Sequence, residues 1–240
     1  MGLFDKKNCD ICGGKIGVLG NRKLEDGNMC KYCAGLLSPF MTDRRRTTIS
    51  DIKEHLAYRE ANKAEVASFN VTRTLGDKTK VMLDEDAGKF IVSSSNRWQG
   101  ENPDVMTFSQ VTGCQTTIDE HRRELKTKDR EGKEISYNPP RYEYSYDFNV
   151  IIHVNSPWFN EIKFQTNRNS VNGRSSAEYR NCELQANEIK QALTQVRKES
   201  RASVAAANAP KVAQTCPHCG ATTMPDASGC CEFCGGAITV

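Results

Sequence analysis

Nine of the eleven cysteines fall into two short clusters near the ends of the chain, and this constrains the fold more than any other feature. The 181-residue stretch 34–214 holds only Cys114 and Cys182. A disulfide scaffold spreads its cysteines through the fold and follows an export signal. The first residues instead run Met1-Gly2-Leu3-Phe4 straight into Asp5, Lys6 and Lys7, with no apolar core of a signal peptide. Position 6 is Lys, so Gly2 does not open a myristoylation motif. No apolar run approaches the ~18 residues of a membrane span. The expectation is a cytoplasmic protein whose thiols hold metal.

The first cluster is Cys9-x2-Cys12, seventeen residues, then Cys30-x2-Cys33. Two such pairs at this separation match a four-thiolate zinc pattern, and thiolates suit the softness of Zn2+. A redox dithiol is the alternative, although a single pair would serve that chemistry. Gly13 follows the first pair, where the backbone must turn with positive φ to aim its N–H groups at sulfur. The second cluster is Cys216-x2-Cys219, eleven residues, then Cys231-x2-Cys234. Cys230 stands beside Cys231 and could substitute for it; Cys231 is preferred because it repeats the x2 spacing. His218, in the middle of a knuckle, is a weaker ligand candidate. Two Zn2+ ions are expected, both structural, because four protein ligands leave no position for a catalytic water. Cys114 and Cys182 read as inert buried thiols.

Between the clusters the period of the apolar residues changes. Thr48-x-x-Asp51 is a capping box that opens a helix to about Ser68, with Ile49, Ile52 and Leu56 on one face and Arg59 and Lys63 continuing it as polar, which predicts a half-solvated connecting helix. Residues 78–83 and 89–93 predict a hairpin around Asp84–Gly88, and 105–117 a further strand. Tyr142, Tyr144, Tyr146, Phe148, Val150, Ile152 and Val154 alternate with mostly polar residues, predicting one long strand with a buried face; 161–166 supplies the next. Residues 121–141 alternate in charge around Asp129–Gly132 and predict an exposed hairpin. Ser175-x-x-Glu178 then predicts a capping box for a helix of about 24 residues with Tyr179, Cys182, Ala186, Ile189, Leu193 and Val196 on one stripe. An Ala-rich linker follows.

The predicted fold class is α+β: two small zinc ribbons flanking a mainly antiparallel β domain closed by one long C-terminal helix. The predicted divisions are a ribbon at 1–47, a connecting helix at 48–69, a β-rich domain at 70–200, a linker at 201–215 and a second ribbon at 216–240. Residues 1–47 carry nine basic and five acidic side chains, an excess of +4 against +3 for the whole chain, whereas 71–200 balance at nineteen each. The basic excess is therefore local. Arg44, Arg45 and Arg46 are candidate phosphate contacts, with a solvated turn as the alternative. Phe40, Trp98, Trp158 and Phe159 are expected to pack rather than to anchor a partner.

The Cys9-Asp-Ile-Cys-Gly-Gly-Lys-Ile-Gly to Cys30-Lys-Tyr-Cys33 segment, running on into Leu36-Leu37-Ser38-Pro39, resembles a small bacterial zinc-binding domain family of unknown function. That resemblance implies no catalytic activity. In its order of elements the middle region resembles a pleckstrin-homology-like domain, and the C-terminal unit a zinc ribbon of the CPxCG type. Its first hairpin turn carries Asp84, Glu85 and Asp86, where phosphoinositide-binding pleckstrin domains carry basic residues. No HExxH, GxSxG, Walker or Rossmann pattern occurs, and the four histidines are widely spaced. The functional expectation is a non-enzymatic adaptor with a protein partner and no small-molecule substrate. Nucleic-acid or ribosome binding through the basic first ribbon, and attachment to a membrane surface, are the alternatives.

Overall fold

The computed structural model describes residues 7–207, 213–226 and 229–238. The readings of the first six residues, and of 208–212 as linker, lie outside the described residues. The chain divides into two compact units, Met1–Lys198 and Glu199–Val240.

The first unit begins with a small hairpin, β1 (Arg22–Lys23) and β2 (Asn28–Met29), followed by the short helix α1 (Lys31–Gly35). A 3-10 turn over Arg44–Arg46 leads into α2 (Ile49–Ser68). Thr48 caps α2 as predicted: its hydroxyl accepts from Asp51 N at 3.2 Å while Asp51 Oδ2 accepts from Thr48 N at 2.9 Å.

The face that α2 buries differs from the prediction. Its buried residues are Ile52, His55, Arg59, Asn62 and Val66, at steps of 3, 4, 3 and 4. Three of the five are polar, and each finds a partner far away in sequence. Ser38 N donates to His55 Nε2 at 3.1 Å. Arg59 Nη1 donates to Asp104 Oδ1 at 2.9 Å, and Ser38 Oγ donates to Asp104 Oδ2 at 2.7 Å. Asn62 Nδ2 donates to Pro103 O at 2.7 Å, and Val105 N donates to Asn62 Oδ1 at 3.0 Å. These bonds satisfy groups that would be costly to bury alone. The helix is half-solvated as predicted, with Lys63 exposed, but its buried stripe is a polar seam that takes in Arg59.

A four-stranded antiparallel sheet follows, in the order β3 (Arg73–Leu75), β4 (Lys80–Asp84), β5 (Lys89–Ser93), then, beyond the short helix α3 (Trp98–Glu101), β6 (Met106–Thr107). The predicted hairpin is β4–β5, registered from Lys80↔Ser93 to Asp84↔Lys89. Asp84 is buried in its turn and accepts from Ala87 N and Asn70 N. A 3-10 turn at Phe108–Gln110 interrupts the strand predicted at 105–117. Then β7 (Val111–Lys128) and β8 (Glu134–Val154) pair along their length, and β9 (Glu161–Gln165) and the short β10 (Val171–Asn172) pair with the other edge of β8.

Only the inner half of this long hairpin reaches the core. Phe148, Val150, Ile152 and Val154 are buried, but none of residues 112–145 is. Tyr142 and Tyr144, predicted inward, are 41% and 39% exposed, because no layer of the described residues packs on the outer β7–β8 arm. Arg122 stacks over the Tyr142 ring at 4.6 Å. The charged hairpin predicted at 121–141 is this exposed arm.

Helix α4 (Ala177–Ala207) closes the core with Ala186, Ile189, Ala192, Leu193 and Val196 against Leu75, Val81, Leu83, Phe90 and Ile162. Its N-terminus lies one residue later than predicted. Ser176 Oγ, not Ser175, accepts from Tyr179 N at 3.0 Å. It also runs seven residues into the stretch read as linker, since Ala202 to Ala207 are mostly strong helix formers with no Gly or Pro. Phe40, Trp158 and Phe159 pack against this core and Trp98 against Phe69.

The second unit contains the hairpin β11 (Gln214–Thr215) and β12 (Thr222–Thr223). Its buried apolar cluster is Cys216, Cys231 and Ile238. No helix among the described residues is long and apolar enough to cross a membrane.

Candidate metal centres

In the first centre the two pairs are built differently. Cys9–Cys12 is a knuckle: Cys9 N donates to Gly14 O and Gly13 N to Cys9 O, both at 2.8 Å, with Gly13 at φ +73°. Cys30 instead caps α1, its Sγ accepting from Cys33 N at 3.4 Å. Cys30 N also donates to Cys9 Sγ at 3.2 Å, tying the two halves together.

Cys9 Sγ lies 3.9 Å from Cys33 Sγ and Cys12 Sγ 3.8 Å from Cys30 Sγ, and all four Sγ atoms lie within 4.8 Å of one another. Four sulfurs placed tetrahedrally at about 2.3 Å from Zn2+ are about 3.8 Å apart. The residues therefore fit a tetrahedral ion. A redox dithiol needs only one CxxC, whereas here the sulfurs of both pairs converge on one point. Burial pushes the Cys9 thiol up, but backbone N–H groups of Cys12, Cys30 and Ile11 outweigh it and bring it down to about 6. Burial and the surrounding thiols raise Cys33. Protons shared unevenly in this way are those a metal displaces, since the thiolate is the ligand.

The second centre is two knuckles. Gly220 N donates to Cys216 O at 2.9 Å and Gly235 N to Cys231 O at 2.8 Å, the glycines at φ +72° and +69°. Cys216 Sγ lies 3.6 Å from Cys234 and Cys219 Sγ 3.7 Å from Cys231, which again fits one tetrahedral ion. Burial raises Cys216, and the N–H groups of Cys219 and His218 more than offset it, bringing its thiol to about 6.

The choice left open between Cys230 and Cys231 falls on Cys231, which joins the four-sulfur group. Cys230 bridges Ala237 through its backbone, and its N–H donates to Asp226 Oδ1 at 2.9 Å. His218 gives the site its backbone rather than its ring: its N–H donates to Cys216 Sγ at 3.4 Å. The ring lies over Gly236, where a Cβ would come within 2.6 Å of it.

The other singled-out groups stay apart. Cys114 and Cys182 are half-buried, and burial raises both thiols, Cys114 to about 11. Among the described residues no histidine joins a group of three or more candidate ligands. His121 pairs with Asp147 at 3.0 Å, and His153 lies 4.0 Å from Glu161. The three arginines divide: Arg46 pairs with Asp43 at 3.6 Å, while Arg44 and Arg45 line a recess with Arg22 and Lys23. Those two were not singled out in the sequence, being 21 residues away with no pattern linking them.

Residues 7–55 match a family model described as a domain of unknown function (DUF4428). The match covers the first centre and the start of α2, through His55. That extent agrees with the packing, since Ile52 belongs to the cluster formed by Cys9, Leu24, Met29, Cys33 and Leu37. No curated protein and no solved structure matches the chain significantly.

Proposed function

We propose that the chain is a non-enzymatic cytoplasmic zinc adaptor. In this reading Zn2+ sits at Cys9, Cys12, Cys30 and Cys33 and at Cys216, Cys219, Cys231 and Cys234. Between them a pleckstrin-homology-like β domain offers surface to a protein partner. The observation that carries the reading is that each group supplies four thiolates. Four ligands complete a tetrahedral zinc, so neither ion keeps a position for a water nucleophile. The pleckstrin-like assignment is supported by the order of elements: a four-stranded antiparallel sheet, a second antiparallel sheet, then a long helix on the core. Separate modules on one chain let weak contacts add through effective concentration.

The test is purification of the tagged chain from its own cells with zinc assayed alongside. One stoichiometric protein partner, lost when either cysteine set is substituted, is the expected result. Turnover that needs a single side chain of residues 70–200 while both zinc ions are retained would overturn the reading.

A further inference from the structure

We propose that Arg22, Lys23, Arg44 and Arg45 form a binding site for ligands that carry several adjacent phosphate groups. The four side chains, with Asn21, Thr42 and Asp43, line a recess of about 410 Å³ on the first unit. Two tertiary bonds assemble it: Glu25 N donates to Thr47 O at 3.1 Å, and Ile49 N donates to Asp26 Oδ1 at 2.8 Å. They bring the β1–β2 loop against the segment that leads into α2, and with it two pairs of cations from separate parts of the chain.

The charge on this recess is not neutralised from within. Among the described residues none of the four cations is in an ion pair. Asp43 is the one carboxylate on the lining, and Arg46 offsets it at 3.6 Å. Four cations gathered around one concavity repel each other, and a polyanion relieves that repulsion.

The lining also selects the part of a ligand it recognises. It holds no aromatic and no aliphatic side chain. It therefore offers neither a stacking platform for a base nor a bed for an acyl chain. What remains is charge, two guanidinium forks free to grip phosphate oxygens in pairs, and the Thr42 hydroxyl. Arg22 is steadied by its own turn, its Nη1 donating to Leu19 O at 3.4 Å and to Asn21 O at 3.2 Å.

A polyphosphate group reaches such a site either as a free small molecule or as a nucleic-acid backbone. The test uses the zinc-loaded full chain, with tripolyphosphate titrated by calorimetry and a labelled single-stranded oligonucleotide followed by anisotropy. Binding of either probe is expected, with affinity falling as salt rises at a log–log slope of roughly −2. Arg22→Ala and Arg45→Ala should each weaken it about tenfold or more. Arg130→Ala, in the turn of the distal arm, should leave it unchanged, and zinc content should stay at two in every variant. Tripolyphosphate binding as tightly as the oligonucleotide assigns a free polyphosphate; oligonucleotide binding alone assigns a nucleic-acid backbone. No binding of either probe at low salt, or binding that Arg22→Ala and Arg45→Ala leave intact, overturns the proposal.

Discussion

The two four-cysteine centres share ligand chemistry and differ in what surrounds them. The first is backed by Ile16, Leu24, Met29, Leu37, Met41 and Ile52, and through Ile52 it is anchored to α2. Among the described residues the second has Ile238 besides two of its own cysteines. A fully buried Leu, Ile or Met contributes about 1.5–3 kcal/mol, so the first ribbon has apolar burial to hold it besides metal. For the second, metal binding is the folding energy, on the order of 10–16 kcal/mol in apparent terms for comparable sites. The same pair of CxxC motifs can therefore mean a reinforced core in one place and a replaced core in another.

The largest effect that would break this contrast is metal removal. Chelation is expected to collapse amide dispersion for residues 213–238 while the signals of β1, β2 and α1 are largely kept, as read by NMR. Equal loss from both ends would refute the distinction. In the same experiment Cys231→Ser should lower zinc from two to one per chain, and Cys230→Ser should leave two.

A smaller effect probes what anchors the first ribbon. Removing one partner of a buried ion pair costs about 3–5 kcal/mol, because the other charge is left uncompensated. Asp104→Ala should therefore destabilise the first unit by that amount in urea unfolding. Arg59→Met with Asp104→Leu should cost clearly less than Asp104→Ala alone. A double variant as unstable as the single one would show that the seam is more than a paired charge.

The smallest effect is in pH. Burial first, and the Arg59 charge second, hold His55 down at about 4. The unfolded chain takes up this proton near pH 6.5, before the folded one does. Stability is therefore full above about pH 6.5 and falls as pH drops toward 4, by roughly 3 kcal/mol at 1.36 kcal/mol per pKa unit. Zinc thiolates also take up protons in acid, so the comparison is with His55→Gln under the same metal conditions. The variant should show a flatter decline between pH 6.5 and 4.5. Parallel curves would remove His55 as the cause.

Much of this was legible locally. The CxxC spacings located both centres, the Thr48–Asp51 capping box located the start of α2, and the stripe from Tyr179 to Val196 located the core face of α4. Where local pattern misled, the deciding partner lay far along the chain. Tyr142 and Tyr144 continue the alternation of Phe148 and Val150, yet both stay exposed, with an arginine rather than a core layer over Tyr142. Arg59 reads as the polar continuation of a half-solvated face, yet Asp104 receives it in the interior.

By itself, then, the sequence determined which residues gather metal and where the chain is helical or extended. Ligand spacing, capping and periodicity are short-range properties that a few neighbouring residues specify. The x2 spacing also favoured Cys231 over Cys230, and the tertiary structure places Cys231 in the second centre. Only the tertiary structure decided that α2 buries a polar seam and that Arg22 and Lys23 meet Arg44 and Arg45 across one recess. Those outcomes depend on which segments close against one another, and burial and charge are felt between residues that only the folded chain brings together.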